Sequence, residues 1–188
     1  MNYGTKVEQL LVNAFAGESQ ARNRYTIYAK IAKNEGYMEI SDVFTSTASN
    51  EEEHAKLFYK KISNGSHNVN FDYPFFYGST LENLLSAASG EKDEWETIYQ
   101  NAADTARNEG YDDIADLFTH IIEVEKHHEH RFLELYHNLK NGTMFKKEQQ
   151  TQWICKKCGY ILICENAPAV CPCCTHPMGY FKIFNEKY

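Results

Sequence analysis

Two stretches of this chain place carboxylate and imidazole groups at the spacing a metal ion needs. Glu51-Glu52-Glu53-His54 returns as Glu125-Lys126-His127-His128, each a Glu-x-x-His. At helical spacing the first lies in the stripe Ile40, Phe44, Thr47, Glu51, His54, Phe58, Ile62, and the second in Ile114, Phe118, Ile121, Glu125, His128, Phe132, Leu135. Each stripe is apolar except at its middle. Residues three apart on a helix stand roughly 60° apart around its axis, so a Glu and a His so spaced can grip one site from one face. A solvated charged face would explain a single Glu-x-x-His, but two copies in register within apolar stripes argue against it. A buried unpaired carboxylate costs on the order of several kcal/mol, and a cation offsets that cost.

Two further stripes carry an inward Glu. One reads Leu11, Ala14, Phe15, Glu18, Ala21, Tyr25, Tyr28, Ala32; the other reads Leu81, Leu84, Ala88, Glu91, Trp95, Ile98, Ala102, Thr105, with Glu94 three beyond Glu91. One Glu from each of two helices and a Glu-x-x-His from each of two others is a known donor set for four-helix carboxylate proteins. Five carboxylates and two imidazoles with open positions suit a pair of iron or manganese ions better than closed tetrahedral zinc. Two ferrous ions can each give one electron to an O–O bond, so peroxide or dioxygen is the natural substrate class. His127 and His130 point away from His128 around the helix and read as surface or supporting groups. His67, His120, His137 and His176 belong to no constellation.

All six cysteines lie between Cys155 and Cys174. Cys155-x-x-Cys158 and Cys171-x-x-Cys174 form two knuckles whose four thiolates can hold zinc or a single iron; the residues alone favour structural zinc. Cys173 could stand in for Cys174, but Cys-x-Cys strains a knuckle. That leaves Cys164 and Cys173 as packing thiols.

The elements that must position these groups follow from punctuation. Thr5-Lys6-Val7-Glu8 and Ser79-Thr80-Leu81-Glu82 have capping-box form and open the first and third helices. Asn34-Glu35-Gly36-Tyr37 ends the first helix, and Asn108-Glu109-Gly110-Tyr111 ends the third, with the Glu-x-x-His at the same offset beyond each turn. The chain is thus an internal duplication. The third helix holds one extra residue between its Glu and its turn, which a π-bulge would absorb. The second helix is expected to run to about Asn64-Gly65. Residues 65–78, with aromatics from Phe71 to Tyr77, are long enough to cross from one end of a bundle to the other. Gly142 ends the fourth helix, the polar stretch to Thr151 reads as a linker, and nothing beyond it is helical by pattern.

At 188 residues and 43% hydrophobic the chain has room for one core and a small appendage. A net charge of −7 without a Lys/Arg cluster argues against nucleic acid. No apolar run nears the roughly 20 residues that span a bilayer, no signal-peptide pattern opens the chain, and bunched cysteines fit a reducing compartment. The expectation is a soluble intracellular protein.

With both constellations in this order, the chain resembles the rubrerythrins over essentially its whole length. The resemblance implies a mainly α protein: a ferritin-like four-helix bundle at 1–141, a linker at 142–151 and a rubredoxin-like four-cysteine β/knuckle domain at 152–188. It implies that Glu18, Glu51, His54, Glu91, Glu94, Glu125 and His128 bind a di-iron centre. Cys155, Cys158, Cys171 and Cys174 then bind one rubredoxin-type iron, which tips that site from zinc to iron. Tyr25 and Tyr99 match family tyrosines beside the centre, where a phenol can hydrogen-bond a ligand carboxylate. Glu94, His54, Tyr25 and Tyr99 are the implied reactive set, with Glu94 and His54 exchanging on one iron between oxidised and reduced states. The implied protein is a cytoplasmic homodimeric peroxidase that reduces hydrogen peroxide to water. Its electrons pass through the thiolate-bound iron of one chain to the di-iron site of the other. No Gly-x-Gly-x-x-Gly occurs, so the external donor is a rubredoxin or an NAD(P)H-oxidising reductase. The rival reading is a ferritin-like iron-oxidising and iron-holding protein with a structural zinc ribbon. The chain departs from rubredoxins in a short segment between the knuckles and in Thr175, where they usually carry Gly.

Overall fold

The computed structural model describes residues 3–69 and 72–185. Helices α1 (Thr5–Asn34) and α2 (Met38–Tyr59) form one hairpin. Helix α3 (Thr80–Asp93), a π-helical turn (Glu94–Ile98) and α4 (Tyr99–Asn108) form a continuous rod that pairs with α5 (Asp112–Lys140) as the second hairpin. The π turn sits in the rod that carries the extra residue.

The duplication holds at the level of the backbone. Gly36 and Gly110 take positive φ of 90° and 81° after α1 and α4, a conformation that costs a side-chain-bearing residue more. The next amides close matching turns, Tyr37 N–H donating to Ala32 O at 2.8 Å and Tyr111 N–H to Ala106 O at 2.9 Å. At Ser79 the expected capping box is present, with Glu82 Oε2 accepting from Ser79 N–H at 2.9 Å. At Thr5 it is absent. Gly4 is the N-cap there, and Glu8 instead accepts from the amide and hydroxyl of Ser63 at 2.6 and 2.7 Å. Those donors, freed where α2 stops at Tyr59 rather than near Gly65, give the carboxylate two charge-assisted bonds in place of one cap.

Tyr25, late in α1, reaches Glu91, early in the rod, while Tyr99, late in the rod, reaches Glu18, early in α1. The rod is therefore antiparallel to α1 and parallel to α2. The chain must travel back along the full length of α2, about 33 Å at 1.5 Å per residue, before α3 can begin. The crossing segment does so against α1, with Asn68 O, the Tyr73 hydroxyl and Phe76 O bonded to Gln9, Asn13 and Tyr28 in turn. Phe71, at the start of the aromatic run, lies outside the described residues.

Two aromatic layers fill the bundle above and below its middle. Phe44 and Phe132 pack at 5.1 Å in one, joined by Tyr25 and Tyr28; Phe58 and Phe118 pack at 5.0 Å in the other, joined by Tyr99. The repeat exchanges these two pairs.

Beyond α5, strands β1 (Lys146–Cys155), β2 (Ile161–Asn166) and β3 (Phe181–Ile183) form an antiparallel sheet in the order β2-β1-β3. The polar stretch before Thr151 is thus strand from Lys146 onward, and one 3-10 turn occurs at Met178–Tyr180. Trp153 and Phe181 are its buried centre. The sheet module rests on the α1–α2 turn. Lys156 Nζ lies 2.6 Å from Glu39 and also pairs with Asp42, Tyr37 stacks on Phe145, and a Cβ at Gly179 would stand 1.7 Å from Gly36 O.

Candidate metal centres

Between the aromatic layers, six side chains from four helices converge. Glu18, Glu51, Glu91 and Glu125 are at most 1% exposed, and His54 and His128 close the group. Their donor atoms sort into two sets, each within 4.8 Å: Glu18, Glu51, His54 and Glu125, and Glu51, Glu91, Glu125 and His128. Glu51 and Glu125 belong to both. His54 Nδ1 lies 3.0 Å from Glu51 Oε2, 2.9 Å from Glu125 Oε1 and 3.7 Å from Glu18 Oε1. His128 Nδ1 lies 3.2 Å from Glu51 Oε1, 2.7 Å from Glu125 Oε2 and 3.6 Å from Glu91 Oε2. Each shared carboxylate thus offers one oxygen to each imidazole, and Glu18 and Glu91 cap the two ends.

Short as these contacts are, few are aligned as hydrogen bonds. Among the described residues, Glu18 Oε2, Glu51 Oε1, Glu91 Oε2, both Glu125 oxygens and His128 Nδ1 are buried without a hydrogen-bond partner. Six orphaned donor atoms converging on two points are costly in a protein core and suited to two cations. Charge points the same way. Burial alone would lower the imidazoles, but contact with Glu125 and its neighbours raises both, His128 to about 12. Burial would raise Glu125, which the two imidazoles instead hold at about 2, whereas burial keeps Glu18 and Glu91 well above the usual carboxylate range. Four carboxylates and two imidazoles give each of two divalent ions four donors and leave positions open, as iron or manganese prefers.

Tyr25 donates to Glu91 Oε1 at 2.5 Å, and Tyr99 donates to Glu18 Oε1 at 2.6 Å. The π turn makes this reciprocity work, since Tyr99 stands one residue farther from Glu91 than Tyr25 does from Glu18. Glu94 opens that turn and lies in neither donor set. It lines a cavity of about 120 Å³ with Gly17, Arg24, Tyr73, Tyr99 and Phe118, large enough for several water-sized molecules. Burial, and then the charge of Glu18, push its carboxyl well above the usual range. Arg24 is 7% exposed, and among the described residues its Nε and Nη1 have no hydrogen-bond partner. Gly90 makes room for it, since a Cβ there would stand 3.1 Å from Arg24 Nη2. Sequence reasoning passed over Arg24, and the one available signal was a cation inside an apolar stripe. His127 and His130 are exposed, as expected.

In the sheet module the outer cysteines meet. Cys155 and Cys174 lie 3.7 Å apart at sulfur, as do Cys158 and Cys171, and all four form one group. A tetrahedron with metal–sulfur bonds near 2.3 Å has edges of about 3.8 Å. Each knuckle closes on a left-handed residue after its second cysteine. Gly159 has φ 77° and donates to Cys155 O at 2.8 Å; Thr175 has φ 60° and donates to Cys171 O at 2.9 Å. Thr175 accepts a conformation that glycine takes freely. Cys164 instead donates its thiol to Asn166 O, and Cys173 is exposed.

Comparison with known proteins agrees with this geometry. The rubrerythrin family model matches residues 9–147, and the model of the rubrerythrin rubredoxin-like domain matches residues 153–182. The chain is 46% identical to rubrerythrin-1 of Clostridium acetobutylicum, over 98% of this chain and 97% of that one. It is 44% identical to rubrerythrin of Porphyromonas gingivalis, over 98% and 93%. The solved structure of fully reduced, all-ferrous nigerythrin aligns with a TM-score of 0.64 at 29% identity, covering 98% of this chain and 89% of that one. The cofactors are a di-iron centre among the bundle carboxylates and histidines and one iron among the four cysteines. The chain belongs to the rubrerythrin family.

Proposed function

We propose that the protein is a peroxidase that reduces hydrogen peroxide to water with electrons delivered through the four-thiolate iron. The observation that carries this reading is the six-residue, two-bridge donor set beside a cavity lined by Glu94, within a chain that also holds a four-cysteine site. A pair of ferrous ions held there would supply the two electrons that, with two protons, are needed to turn one peroxide into two waters. Glu51 and Glu125, common to both donor sets, would be shared by the pair, with Glu18 and His54 completing one set and Glu91 and His128 the other. Tyr99 and Tyr25 fix the two terminal carboxylates and leave each a free oxygen. Glu94 would be the group that exchanges with His54. It lies off the donor set while His54 lies in it, the arrangement expected where a neutral imidazole serves the reduced state and an anionic oxygen the oxidised one. Cys155, Cys158, Cys171 and Cys174 hold the relay iron. The working protein is read as a cytoplasmic homodimer in which each chain joins a bundle to an iron module whose sheet begins at Lys146, fed by a rubredoxin or an NAD(P)H-oxidising reductase.

Stopped-flow oxidation of the fully reduced protein tests this. Peroxide should oxidise it in a rapid single turnover and dioxygen much more slowly, and Glu94→Ala should keep two bundle irons while slowing the peroxide step. Faster oxidation by dioxygen would favour the iron-storage rival, and an unchanged Glu94→Ala step would remove that residue from the reaction.

A further inference from the structure

The repeat makes the two halves of the bundle centre alike in their donors and unlike in what stands behind them. His128 Nε2 lies 3.3 Å from Asn50 Oδ1. An amide oxygen can only accept, so Nε2 carries a proton, and Nδ1, which faces Glu51, Glu91 and Glu125, is the nitrogen that would give up its proton to a cation. One turn away Arg131 Nη2 donates to Thr47 Oγ1 at 2.6 Å, and that hydroxyl donates to Val43 O at 2.9 Å. The repeat that carries Glu51 onto Glu125 and His54 onto His128 carries Asn50 onto Val124, Thr47 onto Ile121 and Arg131 onto Leu57. These three polar groups behind His128 are thus replaced by hydrocarbon side chains at the matching places behind His54. Among the described residues His54 Nε2 makes no hydrogen bond. The cavity lined by Glu94 also lies on this side, for it is lined by Tyr99, whose hydroxyl holds Glu18, the carboxylate grouped with His54.

We infer that Asn50 is a positioning residue that locks His128 onto its metal ion, a support that Val124 at the matching position does not give His54. The inference rests on the two-metal reading of the bundle and adds to it what holds one of the two imidazoles in place. A partner on the distal nitrogen fixes the tautomer and the plane of a ligating imidazole, and losing one typically weakens metal binding roughly 10- to 100-fold.

The test uses the full chain loaded with Co(II), the thiolate-bound ion being followed separately through its own visible absorption. A chelator should draw cobalt from the wild-type bundle in two phases of equal amplitude. Asn50→Val should speed the slow phase about tenfold towards the fast one, and Asn50→Asp, which still accepts from Nε2, should restore it. Val124→Asn should slow the fast phase. A single phase in wild type, or two ions bound by Asn50→Val with wild-type release, would overturn the inference while leaving the two-metal reading intact. Fewer than two bundle ions in wild type would instead remove the reading beneath it. Should Asn50→Val fail to fold, the Val124→Asn rate decides, and an unchanged fast phase counts against the inference.

Discussion

At the scale of single residues, the bundle centre balances buried charge with very few neutral hydrogen bonds. Tyr25 and Tyr99 supply two of them, so Tyr25→Phe and Tyr99→Phe should each strand one buried carboxylate oxygen. Each should cost about 1–3 kcal/mol in chemical denaturation of the metal-free protein, with similar values because the repeat relates the two bonds. Little loss from either would mean that those oxygens are satisfied elsewhere. Protonation gives a second prediction. His54 and His128 hold protons more tightly in the folded metal-free protein than free imidazoles do, and a cation must displace those protons. Ferrous uptake near neutral pH should therefore release at least two protons per bundle, with more from Glu18 and Glu91, and weaken as pH falls. Uptake that leaves the pH of a weakly buffered solution unchanged would contradict it. Glu18, Glu51, His54, Glu91, Glu125 and His128 were legible in the sequence because a charged residue inside an apolar stripe needs a reason. Asn50, Arg24 and the failed cap at Thr5 were not, because their neighbours, His128, Gly90 and Ser63, are brought to them only by tertiary folding.

Among the elements, the π turn is where the duplication is broken for use. An α-helix through 94–98 would seat Tyr99 one residue out of step with Tyr25; the wider turn takes up the extra residue and sets Glu94 beside the cavity. The sequence announced the turn as a mismatch of one residue between two otherwise matching halves. Deleting exposed Glu96 should let the rod close into continuous α-helix, keep the Tyr99–Glu18 bond and retain two bundle irons. It should also slow the peroxide reaction about as much as Glu94→Ala does. Full peroxide reactivity in the deletion variant would show that the turn only accommodates an insertion. The end of α2 and the start of β1 were less legible. Polar residues near Gly65 and before Thr151 carry no period of their own, and the Ser63–Glu8 bonds and the pairing of Lys146 with Asn166 decide them.

For the whole molecule, two metal sites of opposite character are held in one body by a small, specific contact. The bundle offers hard oxygen and imidazole donors between aromatic layers, and the sheet module offers four thiolates on two tight knuckles. Lys156 between Glu39 and Asp42, with Gly179 against Gly36, fixes the module on the α1–α2 turn. The site residues signalled both centres from sequence, whereas this docking rests on a lysine and a glycine of ordinary appearance. The division of chemistry predicts three irons per chain, two in an oxygen- and nitrogen-ligated pair and one in a thiolate tetrahedron. Iron analysis joined to Mössbauer spectroscopy of protein reconstituted with isotopically enriched iron measures number and environment together. The expected spectrum has two-thirds of its area from a coupled high-spin pair and one-third from tetrahedral thiolate iron. A reproducible single iron per chain, all of it thiolate-bound, would contradict the two-metal centre on which the proposed chemistry depends.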